Sequence, residues 1–124
     1  KKKSEAAFQM VKHGVKGVIV NISSISRSGN LGQTNYSATK SAIDAMTVTW
    51  AKELSRYEIR VGAIAPGYIA TDNTQALRAD AQRNRAILER IPAGRWGHPD
   101  DLAGAAVFLS SAASDSICMR RPEP

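Results

Sequence analysis

Gly17-Val18-Ile19-Val20-Asn21-Ile22-Ser23-Ser24 is the stretch whose reading decides the fold. A short, nearly continuous apolar run, bounded by glycine before and serines after, is how a strand buried on both faces of a parallel sheet reads. Upstream, Ala7, Phe8 and Val11 recur at three- and four-residue spacing, which predicts the end of an amphipathic helix over 4–13 with Gly14 as its stop. Downstream, 26–32 is a polar loop containing Gly29, Asn30 and Gly32. A long helix then runs over 35–57 without Gly or Pro, its stripe drawn from Ala42, Met46, Thr49, Trp50, Leu54 and Tyr57. A second buried strand, 59–65, ends at Pro66-Gly67.

The remainder is more polar. Residues 73–90 read as one surface helix, mobile rather than part of the core, with Ala76, Leu77, Ala86, Ile87 and Leu88 as its apolar positions. A break over 92–99 follows. Pro99 then suits the first position of a helix reaching about Leu109, Asp100 and Asp101 favour its positive end, and Leu102, Ala106 and Leu109 point inward. Strands alternating with helices imply parallel pairing and an α/β layer architecture. Two strands cannot make a covered parallel sheet, and each leaves an unpaired edge, so the expectation is one unit belonging to a larger domain.

Charge and composition exclude several classes. The net charge is +6, but the cations are dispersed: Lys1–Lys3 at the start, Arg78, Arg83, Arg85, Arg90 and Arg95 in the middle, Arg120 and Arg121 at the end. No aromatic residues interleave with a basic stripe, so no nucleic-acid partner is expected. There is no apolar run of membrane-spanning length and no apolar signal region after the leading lysines, and a cytoplasmic protein is expected. Cys118 is the single cysteine, a spare thiol with no intrachain disulfide to form. His13 and His98 lack the spacing of a metal pair, so no metal site is expected.

The chemistry sits in the helix after the loop. Tyr36 and Lys40 are four apart, so they share a helix face. A tyrosine is a poor acid or base at neutral pH because its reference pKa is about 10. A nearby ammonium favours the phenolate, and a tyrosine so tuned can give a proton to a carbonyl oxygen or take one from an alcohol. The substrate oxygen also needs a donor. Ser23 and Ser24 stand at the carboxyl end of a buried strand, where ligand sites of α/β sheets form.

The pair does not stand alone. Asn21-Ile22-Ser23-Ser24, Gly29-Asn30-Leu31-Gly32-Gln33-Thr34-Asn35, Tyr36-Ser37-Ala38-Thr39-Lys40-Ser41-Ala42 and Ala65-Pro66-Gly67-Tyr68-Ile69-Ala70-Thr71 follow one another in order. Together they resemble the short-chain dehydrogenase/reductase family, particularly its 3-oxoacyl-carrier-protein-reductase-like members. Arg90-Ile91-Pro92-Ala93-Gly94-Arg95-Trp96-Gly97-His98-Pro99-Asp100-Asp101-Leu102-Ala103 resembles the deoxygluconate and gluconate dehydrogenase branch. The likeness covers about 15–115.

What this resemblance implies can be placed residue by residue. The fold would be the C-terminal part of a doubly wound Rossmann-type parallel sheet. Tyr36 would be the general acid/base, and Lys40 would bind the nicotinamide ribose and tune Tyr36. Pro66 and Gly67 would line the nicotinamide pocket. Ile69, through its backbone, and Thr71 would meet the carboxamide and phosphates of NAD or NADP, and the polar helix after Thr71 would be a substrate lid. The partner would be a small carbonyl or alcohol, either a 3-oxoacyl thioester or a sugar acid, and the 35–57 helix resembles one through which members form homo-oligomers. One serine would hold the substrate oxygen. A spacing of thirteen before Tyr36 selects Ser23 (36 − 23), whereas the second serine of the Asn-x-Ser-Ser pattern is Ser24. Alternation puts the two on opposite faces. The expectation falls on Ser24, with the loop one residue shorter.

The sequence contains no Thr-Gly-x-x-x-Gly-x-Gly turn, which would seat a pyrophosphate against a helix end. The expectation is therefore a partial domain, 1–115, without the nucleotide-binding half or the last strand, closed by an atypical tail, 116–124. Two functions remain open: an NAD(P)-dependent oxidoreductase using Ser24, Tyr36 and Lys40, or a truncated, inactive product acting at most by pairing through its long helix.

Overall fold

In a computed structural model of the chain, residues 4–118 are described; Lys1–Lys3 and 119–124, most of the expected tail, lie outside the described residues. The first helix, α1 (Glu5–His13), starts where the Ser4 hydroxyl accepts the Ala7 N–H. It stops where Gly14 enters the left-handed region at φ 63°, its N–H turned back onto the Met10 and Val11 carbonyls. That conformation costs glycine nothing and any side chain something. Strand β1 (Gly17–Ile22) then pairs in parallel with β2 (Ile59–Ile64), in register from Gly17 opposite Ile59 to Ile22 opposite Ile64. The crossover between them is α2 (Thr34–Leu54), tightened at its end by a 3-10 turn, Ser55–Tyr57. α/β architecture with parallel strands is thus what the alternating pattern predicts.

The core is small. Among the described residues, Ala7 of α1, Leu54 of α2, and Ile59 and Val61 of β2 are its buried apolar residues, with Met10, Val11, Ile19, Trp50 and Ala51 packed around them. Side chains alternate along a strand, so Arg60 points to the opposite side from Ile59 and Val61. There it is buried against the last helical turns of the described residues: Nε pairs with Asp115 at 3.1 Å, and NH1 donates to the Leu109 carbonyl at 3.2 Å and to the Ser114 hydroxyl. β2 therefore has helices on both sides: α1 and α2 on one, α5 (Ala103–Ser110) and α6 (Asp115–Cys118) on the other.

Several expectations need correction. β1 is half-buried along its length rather than buried on both faces, and Ile22 is exposed, because a two-stranded sheet leaves each strand an open edge. Phe8, Met46 and Tyr57 are also exposed. Ala42 and Thr49 of the expected α2 stripe are exposed as well, whereas Trp50 and Leu54 do face inward, joined by Ile43, Thr47 and Ala51, and Thr47 accepts a hydrogen bond from the Asn21 side-chain amide of β1 at 2.8 Å. The polar helix of 73–90 is broken in two, α3 (Gln75–Ala79) and α4 (Ala81–Leu88), after a 3-10 turn at Asp72–Thr74. Asp80 makes the break, its carboxylate accepting the Gln82 and Arg83 N–H groups at 3.0 and 2.9 Å. Aspartate favours this capping geometry over a helix interior. Pro99 opens a 3-10 turn, Pro99–Leu102, that leads into α5. Among the described residues no helix is long and apolar enough to cross a membrane, and no cluster of three His, Cys, Asp or Glu could hold a metal ion.

Candidate active site

The site grows from the carboxyl end of β1. The Ser23 N–H donates to the Ile64 carbonyl at 2.8 Å, extending the ladder one step, and the Ile25 N–H donates to the Pro66 carbonyl at 3.1 Å. The strand end carrying Ser23 and Ser24 is therefore stitched to the segment that leaves β2. Both serines are buried, but their hydroxyls do different work. The Ser23 hydroxyl donates to the Lys40 carbonyl at 3.4 Å, against α2. The Ser24 oxygen accepts the Ser26 N–H at 3.1 Å and so caps the 3-10 turn Ile25–Ser28. A hydroxyl has one proton and two lone pairs. Ser23 spends its proton on the helix, whereas Ser24 uses a lone pair and keeps its proton.

α2 presents Tyr36 in its first turn and Lys40 one turn later. The Lys40 ammonium lies 5.6 Å from the centroid of the Tyr36 ring and donates to the Ile22 carbonyl at 2.9 Å. Tyr36 is about half exposed, so its phenol is open to solvent. Lys40 thus touches both the tyrosine and the strand end two residues before Ser24.

Pro66 and Gly67 follow β2. Gly67 is exposed, and a methyl placed on it would meet only Ile25 Cδ1 at 4.0 Å, so another molecule can approach its backbone. Ile69 is held by a parallel bridge to Gly97: the Gly97 N–H donates to the Tyr68 carbonyl and the Ala70 N–H to the Gly97 carbonyl, both at 2.8 Å. This pairing does not use the Ile69 amide. The Ile69 carbonyl, by contrast, already accepts the Thr74 hydroxyl at 2.8 Å. The Thr71 N–H donates to Thr74 Oγ1 at 3.0 Å, and the Thr71 carbonyl accepts from Arg78 at 3.1 Å. Trp96 fills the gap beneath this segment: its indole N–H donates to Asn84 at 2.7 Å and its ring meets Tyr68 edge-on at 5.7 Å. Asn84 and Arg78 tie the polar helices to this loop, and nothing in their spacing marked them beforehand.

A second anchor is the turn before α5. Asp101 accepts from Arg95 and from the His98 N–H, each at 2.8 Å. The Arg95 hydrogen bond, then the His98 N–H, hold the Asp101 carboxyl below the usual carboxylate range. A carboxylate depressed in the folded state contributes order above its unfolded pKa and loses it as pH falls through the folded one. Exchange protection of the His98 amide should therefore be steady near neutrality and fall away only below the ordinary aspartate range. Hydrogen exchange followed against pH checks this; protection unchanged down to strong acid would contradict it. His98 serves here as a cap, its Nδ1 accepting the Asp100 N–H at 3.3 Å.

With this geometry in place, comparison with known proteins is informative. The family described as Enoyl-(Acyl carrier protein) reductase matches residues 2–120. A 2-dehydro-3-deoxy-D-gluconate 5-dehydrogenase of Dickeya dadantii is 53% identical over 112 residues, which cover 90% of this chain and 44% of that protein. A 3-oxoacyl-[acyl-carrier-protein] reductase of Thermotoga maritima is 47% identical over 102 residues, 82% of this chain and 41% of its own. The crystal structure of a gluconate 5-dehydrogenase from Burkholderia cenocepacia, in complex with NADP and tartrate, superposes with a TM-score of 0.84 at 40% identity, over 90% of this chain and 44% of that one. The chain thus spans less than half the length of the relatives it matches.

Proposed function

This chain belongs to the short-chain dehydrogenase/reductase family, and we propose that it carries the proton-transfer and substrate-holding half of an NAD(P)-dependent oxidoreductase acting on a small carbonyl or secondary alcohol. The observation that carries this reading is the way Lys40 joins the Tyr36 ring to the strand end that bears Ser24. In the reductive direction Tyr36 gives its proton to the substrate oxygen as negative charge develops there; in the oxidative direction it takes that proton back. Ser24 donates its unspent hydroxyl proton to the same oxygen and fixes its position. Ser23, its proton engaged by the helix, is structural.

The residues fit the nicotinamide end of the cofactor. Lys40 has two ammonium hydrogens beyond the one given to Ile22, and the exposed backbone at Gly67 is open to close approach. Lys40 would hold the ribose, Pro66 and Gly67 would line the ring, and the Ile69 backbone and Thr71 would meet the carboxamide and phosphates. When bound, the nicotinamide supplies or accepts the hydride. Among substrates a sugar acid is favoured, since the Dickeya relative acts, by its name, on a deoxygluconate and is the more similar of the two curated proteins compared. We place the assembled enzyme in the cytoplasm, as a homo-oligomer paired through the exposed side of α2.

The test restores the rest of the domain. Residues 15–109 are grafted into the Dickeya relative, and turnover of a 2-dehydro-3-deoxy sugar acid is followed with NADH and NADPH. Ser24→Ala in that hybrid should lower kcat by on the order of 10²-fold, the scale of one lost oxyanion donor, and Ser23→Ala by far less. A folded hybrid without turnover overturns the function; a larger loss from Ser23→Ala reassigns the serine.

A further inference from the structure

Tyr36, Lys40 and Asp44 stand four residues apart along α2, one turn above another on a single stripe. Lys40, in the middle, has a choice of neighbours: it can lean one way towards Tyr36 and the strand end, or the other way towards a carboxylate at i+4. In the structure it leans to Tyr36 and Ile22. Asp44 faces a different cation, pairing with Arg27 Nε at 2.7 Å. Arg27 belongs to the 3-10 turn that Ser24 caps, its N–H donating to the Ser24 carbonyl at 3.1 Å, and its own carbonyl accepts the Ser41 hydroxyl from α2. The Arg27 backbone is thus held at both its N–H and its carbonyl, its guanidinium is held by Asp44, and both members of the pair are only partly exposed.

We propose that Arg27 is a positioning residue that occupies Asp44 and so leaves Lys40 to the Tyr36–Ile22 side. The relevance to catalysis rests on the role proposed above for Tyr36 and Lys40; the placement of Lys40 does not. Without Arg27, the Asp44 carboxylate is an unneutralised i+4 partner for Lys40, and such pairs attract even in the less favourable order, cation before anion. The lysine is then drawn one turn away from the tyrosine. A simple clip between loop and helix behaves differently, since removing either partner opens it equally and removing both does no better.

The difference is measurable in the 124-residue chain. The side-chain ammonium resonance of Lys40 is identified by its loss in Lys40→Arg and followed by nitrogen NMR. Arg27→Gln should shift it and shorten its hydrogen-exchange lifetime by up to about twofold, the scale of one i,i+4 pair. Asp44→Asn should leave it near its original position. The double variant, Arg27→Gln with Asp44→Asn, should return it there. Arg27→Lys, which keeps the charge, should shift it little and controls for damage to the turn. In the hybrid enzyme kcat should follow the same order, with rescue in the double variant; KM for the carbonyl substrate should change little, whereas KM for the nicotinamide cofactor should rise and recover with the placement of Lys40. A Lys40 resonance indifferent to Arg27→Gln, or a double variant as shifted as the single one, overturns the proposal. Absence of turnover in the unsubstituted hybrid bears only on the function; the Lys40 resonance alone decides the role of Arg27.

Discussion

Replacing Tyr36 with Phe in the hybrid enzyme is expected to remove nearly all turnover while leaving the fold intact. The phenol is half exposed, so the ring loses no packing when its oxygen is removed. What disappears is the proton source for the developing alkoxide. General acid catalysis of this kind contributes on the order of 10²–10⁴-fold, and the loss should fall in kcat rather than in KM, because the proton is transferred in the transition state. Steady-state kinetics at saturating cofactor measure it. Ser24 does not replace the phenol: its hydroxyl oxygen is engaged as a cap on the Ser26 N–H, and an aliphatic hydroxyl is a far weaker acid than a phenol. Full activity in Tyr36→Phe would remove the chemistry from this helix altogether.

The largest structural effect is expected at Leu54. It is almost wholly buried, at 1% exposure, where the end of α2 meets Ile59 and Val61 of β2 and Ala7 of α1. Truncation to alanine loses the transfer energy of the removed carbons and leaves a cavity, together worth about 2–5 kcal/mol. Stabilities of whole domains are about 5–15 kcal/mol. With four buried apolar residues in its core among the described residues, this chain sits at the low end, and Leu54→Ala should remove a large part of its stability. Urea titration followed by circular dichroism tests this. A loss under about 1 kcal/mol would show that the seam between α2 and the sheet contributes little. At the exposed Met46, by contrast, the same truncation should be nearly silent.

The contrast between these two residues shows how far periodicity reaches. Both fell on the predicted stripe of α2, because an apolar residue every three or four positions marks a helix face without saying how much of that face is covered. Only Leu54 lies where α1 and β2 close over it. Met46 lies about two turns earlier, where the described chain places nothing against it strongly enough to bury it. The polar helix of 73–90 failed for a different reason. Its composition is helical on both sides of Asp80, and the break depends on a carboxylate choosing two backbone N–H groups over a helix interior. That choice is local, and aspartate's preference for caps could have flagged it.

The chemistry was legible where it follows from spacing along one element. Tyr36 and Lys40 meet because residues four apart on a helix must, and the parallel pairing of β1 with β2 follows from two apolar runs separated by a helix too long for a hairpin. Those features the sequence determined by itself. What needed the tertiary structure were contacts between segments distant in the chain: the Ser23 proton spent on the Lys40 carbonyl, the Lys40 ammonium on the Ile22 carbonyl, Arg27 on Asp44, and Arg60 turned into the helices that follow β2. The physical reason is that backbone propensity and periodicity are properties of neighbouring residues, whereas the use of each hydroxyl, ammonium or guanidinium proton is settled by whichever acceptor the packed chain brings within about 3 Å. Alternation along the strand already set the two adjacent serines on opposite faces; the packed chain adds that the Ser23 hydroxyl lies against the Lys40 carbonyl and the Ser24 oxygen on the Ser26 N–H.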